Sequence, residues 1–286
     1  MGEPNQIFYR ALVKLRRDLA ARRGADDFLK RELCERMADR LEDMARNFPL
    51  ALEIGCHAGQ LQQVLGPRGG IHQLLQCDSS PEMLARAVGA RVLADEEALP
   101  FAAEQFDLVM SAGSLHHVND LPGTLAQIRR ILKPDGLFLA MLPGPNTLRE
   151  LRESFAAVEA RHGVMRPHLS PFVEVRDAGN LLTRAGFALP VADHDTLTLT
   201  YEHPLVLMRE LRAMGETNAL MEQARGVLPR SLFPEVCAHY IEHFAGQDGR
   251  IPASIELITL TAWAPHASQQ QPARRGSGKI SLKDVF

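Results

Sequence analysis

Between residues 50 and 142 the chain alternates short apolar runs with stretches of helical pattern, and this alternation restricts its fold more than any other feature. The runs 50–54, 71–77, 91–94, 106–111 and 136–142 have strand length, and 60–65, 81–88 and 121–132 lie between them as helix candidates. Pro81 suits a first helical turn, and Lys133-Pro134-Asp135-Gly136 reads as a breaker. Strands separated by helical crossovers pair in parallel, and a parallel sheet requires helices on both faces. The expectation is an α/β fold with a mostly parallel sheet, whose ligand sits at the carboxyl ends of the strands.

The flanks are read in the same way. Phe28, Leu29, Leu33, Met37 and Leu41 recur at helical spacing, so an amphipathic helix leads into the first strand. Beyond 142, a turn at Pro143-Gly144-Pro145-Asn146 precedes a helix over 147–160 and another over 175–185. A strand follows at 196–201, a wholly helical cap at about 204–245, and a last strand at 254–263 rich in Thr and apolar residues. The expected organisation is an N-terminal helical segment 1–45, a domain 46–265 with a helical insertion before its last strand, and a flexible tail 266–286. From Arg10 to Arg31 basic residues outnumber acidic ones; a solvated helix face is expected there, with an acidic partner or a membrane as the alternative.

Composition narrows the function classes. A net charge of -3 argues against wholesale nucleic-acid binding. Cys34, Cys56, Cys77 and Cys237 are scattered without a CxxC pair, so neither a disulfide framework nor a zinc site is expected and a reducing compartment fits. No window approaches the length of a membrane span, and the polar start MGEPNQIFYR reads neither as a secretory signal nor as a myristoylation site.

The first strand ends in ALEIGCHAGQL, residues 51–61, a glycine turn before a helix. Gly55 and Gly59 let the backbone turn and approach a ligand, and the helix start offers unpaired N–H groups. The pattern is Gly-x-x-x-Gly with Glu53 two residues ahead, not the G-x-G-x-x-G of a dinucleotide site. A carboxylate repels a pyrophosphate and suits a ligand carrying an ammonium and a sulfonium. Asp78 closes the second strand, where a carboxylate can accept both ribose hydroxyls, and Asp95 closes the third, within reach of an adenine amino group. In this order the acids favour S-adenosylmethionine (SAM). His116 and His117 follow the fourth strand, near where an acceptor would lie, and are weak candidates for a general base. His168 is expected to be a satisfied loop histidine.

These residues resemble the class I SAM-dependent methyltransferases of Rossmann-like fold. Within them, the chain is similar to the NADH:ubiquinone oxidoreductase (complex I) assembly factor 5 family. The marks are RNFPLAL at 46–52, LADEE at 93–97, VNDLP at 118–122, LKPDG at 132–136, PHLSPF at 167–172, MGETN at 214–218 and RGS at 275–277. The resemblance implies that Glu53, Gly55 and Gly59 cradle the methionine part of SAM, with Asp78 and Ser79 at the ribose. It also implies Asp95 and Glu96 at the adenine, and Ser111 and Ala112 beside the sulfonium. His57 stands where the family has a middle glycine, which puts SAM affinity in question if the backbone there needs positive φ.

The resemblance further implies a protein substrate, an arginine of a complex I quinone-module subunit, modified by hydroxylation. Hydroxylation needs activated oxygen, yet no H-x-D/E pair of a two-histidine, one-carboxylate iron site is found; His117-Val118-Asn119 is the nearest miss, and no metal ligands are assigned. Methyl transfer to the carboxylate of malonyl-acyl carrier protein is one alternative, and a non-enzymatic assembly chaperone is another. With no transit-peptide pattern, the expected setting is a bacterial cytoplasm, peripheral to the inner membrane.

Overall fold

The computed structural model describes residues 6–24, 28–163, 166–221 and 230–270. Among them, one sheet runs through β1 (Phe48–Ile54), β2 (Ile71–Asp78), β3 (Ala90–Leu93), β4 (Phe106–Ala112), β5 (Leu132–Pro143), β6 (Ala188–Tyr201) and β7 (Ile251–Trp263). The strand order is β3-β2-β1-β4-β5-β7-β6. β1 to β5 pair in parallel, whereas β7 runs antiparallel to both β5 and β6. The α/β reading with a mostly parallel sheet is therefore confirmed, and β1 and β4 lie side by side at the centre, where the chain reverses its direction of travel across the sheet.

The strands of the centre are apolar on both sides because both faces are covered. Leu108 and Met110 of β4 point into one core with Leu33, Met37 and Leu41 of α2 (Phe28–Glu42). Val109 points into the other with Leu125 and Ile128 of α5 (Leu121–Ile131). α2 thus shares the sheet's core from across the boundary expected at residue 45. Asp120 caps α5 by accepting a hydrogen bond from the Gly123 N–H at 2.8 Å, with a proline in the first turn.

Two expectations need correction. Residues 133–136, read as a breaker, lie within the start of β5: Asp135 takes a positive φ of 60° and the pairing with β4 shifts register, so the turn is absorbed into the strand as an irregularity. Residues 204–245 are not one helical cap. α8 (Pro204–Met214) is ended by Gly215 in the left-handed conformation, φ 83°. The following segment is non-helical up to a bridge between Leu220 and Phe8, and α9 (Phe233–Phe244) comes after. Residues 222–229, the RGS mark and the tail beyond 270 lie outside the described residues.

Candidate functional site

At the end of β1 the backbone behaves as the glycine turn requires. Gly55 has φ 68° and Gly59 φ 79°. A Cβ on Gly55 would lie 1.8 Å from the Ser114 Oγ, so the approach of the two loops excludes any side chain there. His57 takes φ 51°, the strained conformation that a non-glycine residue adopts at a cost. Its N–H donates to Asp78 Oδ2 at 2.9 Å, which anchors the turn to the end of β2. Burial pushes the His57 imidazole well below its usual range, helped by Lys30 and Arg17, so the ring is neutral.

The acids expected around SAM are brought together, but they already hold cations of the same chain. Glu53 is fully buried, neither of its oxygens has a hydrogen-bond partner among the described residues, and burial raises its carboxyl to about 7. The Lys30 ammonium of α2 stands 4.0 Å away and donates to the Gly55 carbonyl at 3.0 Å and the Ala112 carbonyl at 2.5 Å. Arg17 of α1 (Arg10–Arg23), only 1% exposed, donates to Glu96 at 2.8 Å and lies 3.8 Å from Asp78. Arg10 reaches Asp95 at 2.8 Å and also Glu96. Burial alone would raise the Glu96 carboxyl, but Arg17 and Arg10 hold it well below the carboxylate range. For Asp78 burial prevails over Arg17, and its carboxyl is raised.

The solvated basic face expected over Arg10 to Arg31 is thus corrected at three positions. Arg10, Arg17 and Lys30 face inward because the acids at the strand ends would otherwise be buried without countercharge. Charge counting along the helix could not show this, since the partners lie tens of residues away. Of the other expected cofactor residues, Ser79 is half-buried. Ser111 is fully buried, with an Oγ that has no hydrogen-bond partner among the described residues, and Ala112 contributes its carbonyl to Lys30.

Beyond this charged half lies a second, more open one. A cleft of ≈ 920 Å³, including its mouth, is bordered by His57, His116, His117, Leu148, Phe172 and Glu216. His116 and His117 sit on the turn after β4. Glu216, from the non-helical segment after α8, comes within 3.0 Å of His116 Nε2 and 3.7 Å of His117 Nδ1. Burial pushes the His117 ring well below its usual range, with His116 adding to the effect. Burial would raise Glu216, yet His116, by its charge and its hydrogen bond, holds the carboxyl well below the usual range.

Sequence reasoning singled out both histidines but missed Glu216; it quoted MGETN only as a family mark, and nothing local links residue 216 to residue 116. His168 is satisfied as expected, bonded to Glu159 at 2.7 Å and stacked on Phe155.

The N-terminal segment straps the two halves together. Asn119 Oδ1 accepts from the Ile7 and Phe8 N–H groups at 2.8 Å each. The Tyr9 N–H donates to the Ala219 carbonyl at 2.8 Å, and Arg16 donates to the Thr217 carbonyl at 2.7 Å. Glu216 is therefore held by its neighbours' backbone, not left on a free loop.

With this geometry in place, the similarities of the chain fall into order. Residues 52–140 match the family model described as a methyltransferase domain. The YcgJ protein from Bacillus subtilis superposes with a TM-score of 0.56 at 16% identity, covering 82% of this chain and 99% of that one, which shows the fold. A malonyl-[acyl-carrier protein] O-methyltransferase of Laribacter hongkongensis is 36% identical over 89% of this chain and 89% of its own. The mitochondrial arginine-hydroxylase NDUFAF5 of Rattus norvegicus is 41% identical over 98% of this chain and 83% of its own length. The chain belongs to the NDUFAF5 arginine-hydroxylase family, built on the methyltransferase fold.

Proposed function

We propose that this protein hydroxylates an arginine of a protein substrate, a subunit of the quinone module of complex I, during assembly of that complex. The observation that carries this reading is the reach of the similarity. The methyltransferase model accounts for residues 52–140, whereas the identity to an arginine hydroxylase extends over 98% of the chain. The extension takes in the residues that wall the cleft from the far side, Phe172 and Glu216 among them. The cleft's acid, Glu216, and its neutral imidazole, His117, suit an approaching guanidinium better than a phosphate. No helix among the described residues is long and apolar enough to cross a membrane, so contact with the complex would be peripheral, in a bacterial cytoplasm under this reading.

The residues present fit SAM. Two carbonyls, Gly55 and Ala112, converge on an ammonium, and the buried, unpartnered Glu53 lies beside it. Lys30 therefore marks a place that the α-ammonium of SAM can take, and Arg17 marks the acids for its adenosine end. When bound, SAM would supply an electrophilic methyl group or a structural filling of the site. Glu53 and the Gly55 and Ala112 carbonyls would hold its ammonium end in place of Lys30, Asp78 and Glu96 its adenosine end in place of Arg17, and the Asp78 carboxylate anchors His57 at the turn.

The test is mass spectrometry of the quinone-module subunit from a strain lacking this protein. Loss of a one-oxygen increment on arginine supports hydroxylation, and loss of a one-methylene increment replaces it with methyl transfer. A second reading, methylation of a carrier-protein carboxylate, is favoured by the 36% identity to the Laribacter enzyme. Rescue of a biotin auxotroph would establish it. A chaperone without SAM would show neither mass change nor any heat in a SAM titration.

A further inference from the structure

The side chains of His116, His117 and Glu216 converge in a way that an ordinary ion pair does not explain. One imidazole suffices to hold a carboxylate, and His116 Nε2 does so at 3.0 Å. His117 Nδ1 nevertheless turns to the same oxygen and stops at 3.7 Å, too long for a hydrogen bond, so this buried nitrogen is unpartnered among the described residues. The three ligand atoms lie within 4.8 Å of one another. Two ligands each about 2.1 Å from one ion and at near-right angles stand about 3.0 Å apart, the separation His116 and Glu216 already have, and the third atom needs only a small closure to share that centre.

We propose that His116, His117 and Glu216 bind one divalent first-row metal ion, of the ferrous class, at the wall of the cleft. Two imidazoles and one carboxylate are the donor set of non-haem iron centres that keep positions open for other ligands. The surroundings suit it. Phe8 meets the His117 ring edge-on at 5.4 Å and Phe172 approaches His116 at 6.0 Å, an apolar wall that limits water and fixes ring orientation. The strap across 216–221 holds the carboxylate donor in place. A motif search confined to H-x-D/E misses this set because the carboxylate comes from a segment one hundred residues downstream.

The proposal deepens the hydroxylase reading and rests on it for its purpose. Hydroxylation breaks one C–H bond of the arginine side chain and forms one C–O bond. One atom of dioxygen enters that bond and the other leaves as water, with two protons from solvent and two electrons from an external reductant of the ascorbate class. The ion lies on the wall of the same cleft that would receive the guanidinium.

The experiment uses the full chain, freed of any affinity tag and of bound metal. It is titrated anaerobically with ferrous ion, and with cobalt(II) as the optical probe. One equivalent is expected to bind, with ligand-field bands in the cobalt spectrum and a rise in melting temperature. Glu216→Gln, close in shape, and His116→Gln or His117→Gln are each expected to weaken binding by about tenfold or more, the scale of even outer-shell losses at metal sites. His168→Gln, outside the set, is expected to bind as the wild type does. The proposal is overturned if wild-type protein binds no equivalent of either ion, or if binding survives all three ligand substitutions. This outcome is separable from the hydroxylase reading: a one-oxygen increment on the substrate with no metal bound sinks the site alone, and metal bound with no increment sinks the reaction alone.

Discussion

The two halves of the site treat their charges in opposite ways. At the glycine turn the acids are buried and neutralised by the chain's own cations: Arg17 on Glu96 and Asp78, Arg10 on Glu96 and Asp95, Lys30 on the carbonyls beside Glu53. At the end of β4 a carboxylate and two imidazoles border an open cleft, and the side chain closest to the carboxylate is an imidazole, not an arginine or lysine. The first half has the form of a cofactor site held shut from within. The second has the form of a place where chemistry can be done. They are electrostatically joined, since Glu216 acts on both Arg17 and His57.

The largest effect should come from breaking the internal pairing. Glu96→Ala leaves Arg17 buried without its hydrogen-bonded acid, and a loss of about 3 kcal/mol is expected in denaturant unfolding. Replacing both, as Arg17→Met with Glu96→Leu, should recover most of that loss. A double substitution as damaging as Glu96→Ala would show that the pair is not what holds this half closed.

Next in size is the pH dependence of Glu53. Its folded carboxyl, raised by burial to about 7, lies above the ordinary value of 4.5, so the folded state holds the proton more tightly. The stability this confers is present below 4.5 and is lost as pH rises toward 7. Wild type should fall relative to Glu53→Gln by on the order of 2 kcal/mol across that window, read from unfolding curves at stepped pH. Parallel profiles would place Glu53 in a more solvated setting than the structure shows.

The competition between Lys30 and SAM gives a binding effect of similar scale. Lys30→Met removes a donor that satisfies two buried carbonyls in the closed site, and an ammonium from SAM can then satisfy them. About tenfold tighter SAM binding is expected by calorimetry. Weaker binding would mean that Lys30 contacts the cofactor directly. The smallest effect concerns His57, whose φ of 51° strains any residue with a Cβ. His57→Gly should be more stable than His57→Ala by about 1 kcal/mol, because only the glycine escapes that strain. Equal melting temperatures would argue that the turn relaxes.

The first half was more legible in the sequence than the second, and the reason is range. The helix at 60–65 and the strands from 48 to 112 are local matters of period and punctuation, and they stand close to their expected bounds. Gly55, Asp78 and Asp95 follow the ends of three successive strands and Gly59 opens the helix after the first, so their order along the chain already implies their meeting. Arg17, Lys30 and Glu216 come from outside that stretch, and their charge patterns fit an exposed helix or a helical cap equally well. The packing of α2 on the sheet brings Lys30 to the site, and the strap that joins Phe8 to Leu220 and Asn119 to the N-terminal segment ties α1 and the Glu216 segment beside it; pairings of that separation leave no periodic trace. The misread cap shows the same limit. Gly215 ends α8, and the segment it releases is the one that carries Glu216.

The central claim is that the chemistry belongs to the histidine cleft, with the glycine-turn half as its support. The most direct test is mass spectrometry of the arginine-bearing subunit from a strain whose only copy of this protein carries Glu216→Gln, with SAM binding of the purified variant measured alongside. The account predicts loss of the one-oxygen increment with SAM binding unchanged. An increment retained in full by the Glu216→Gln strain would contradict it.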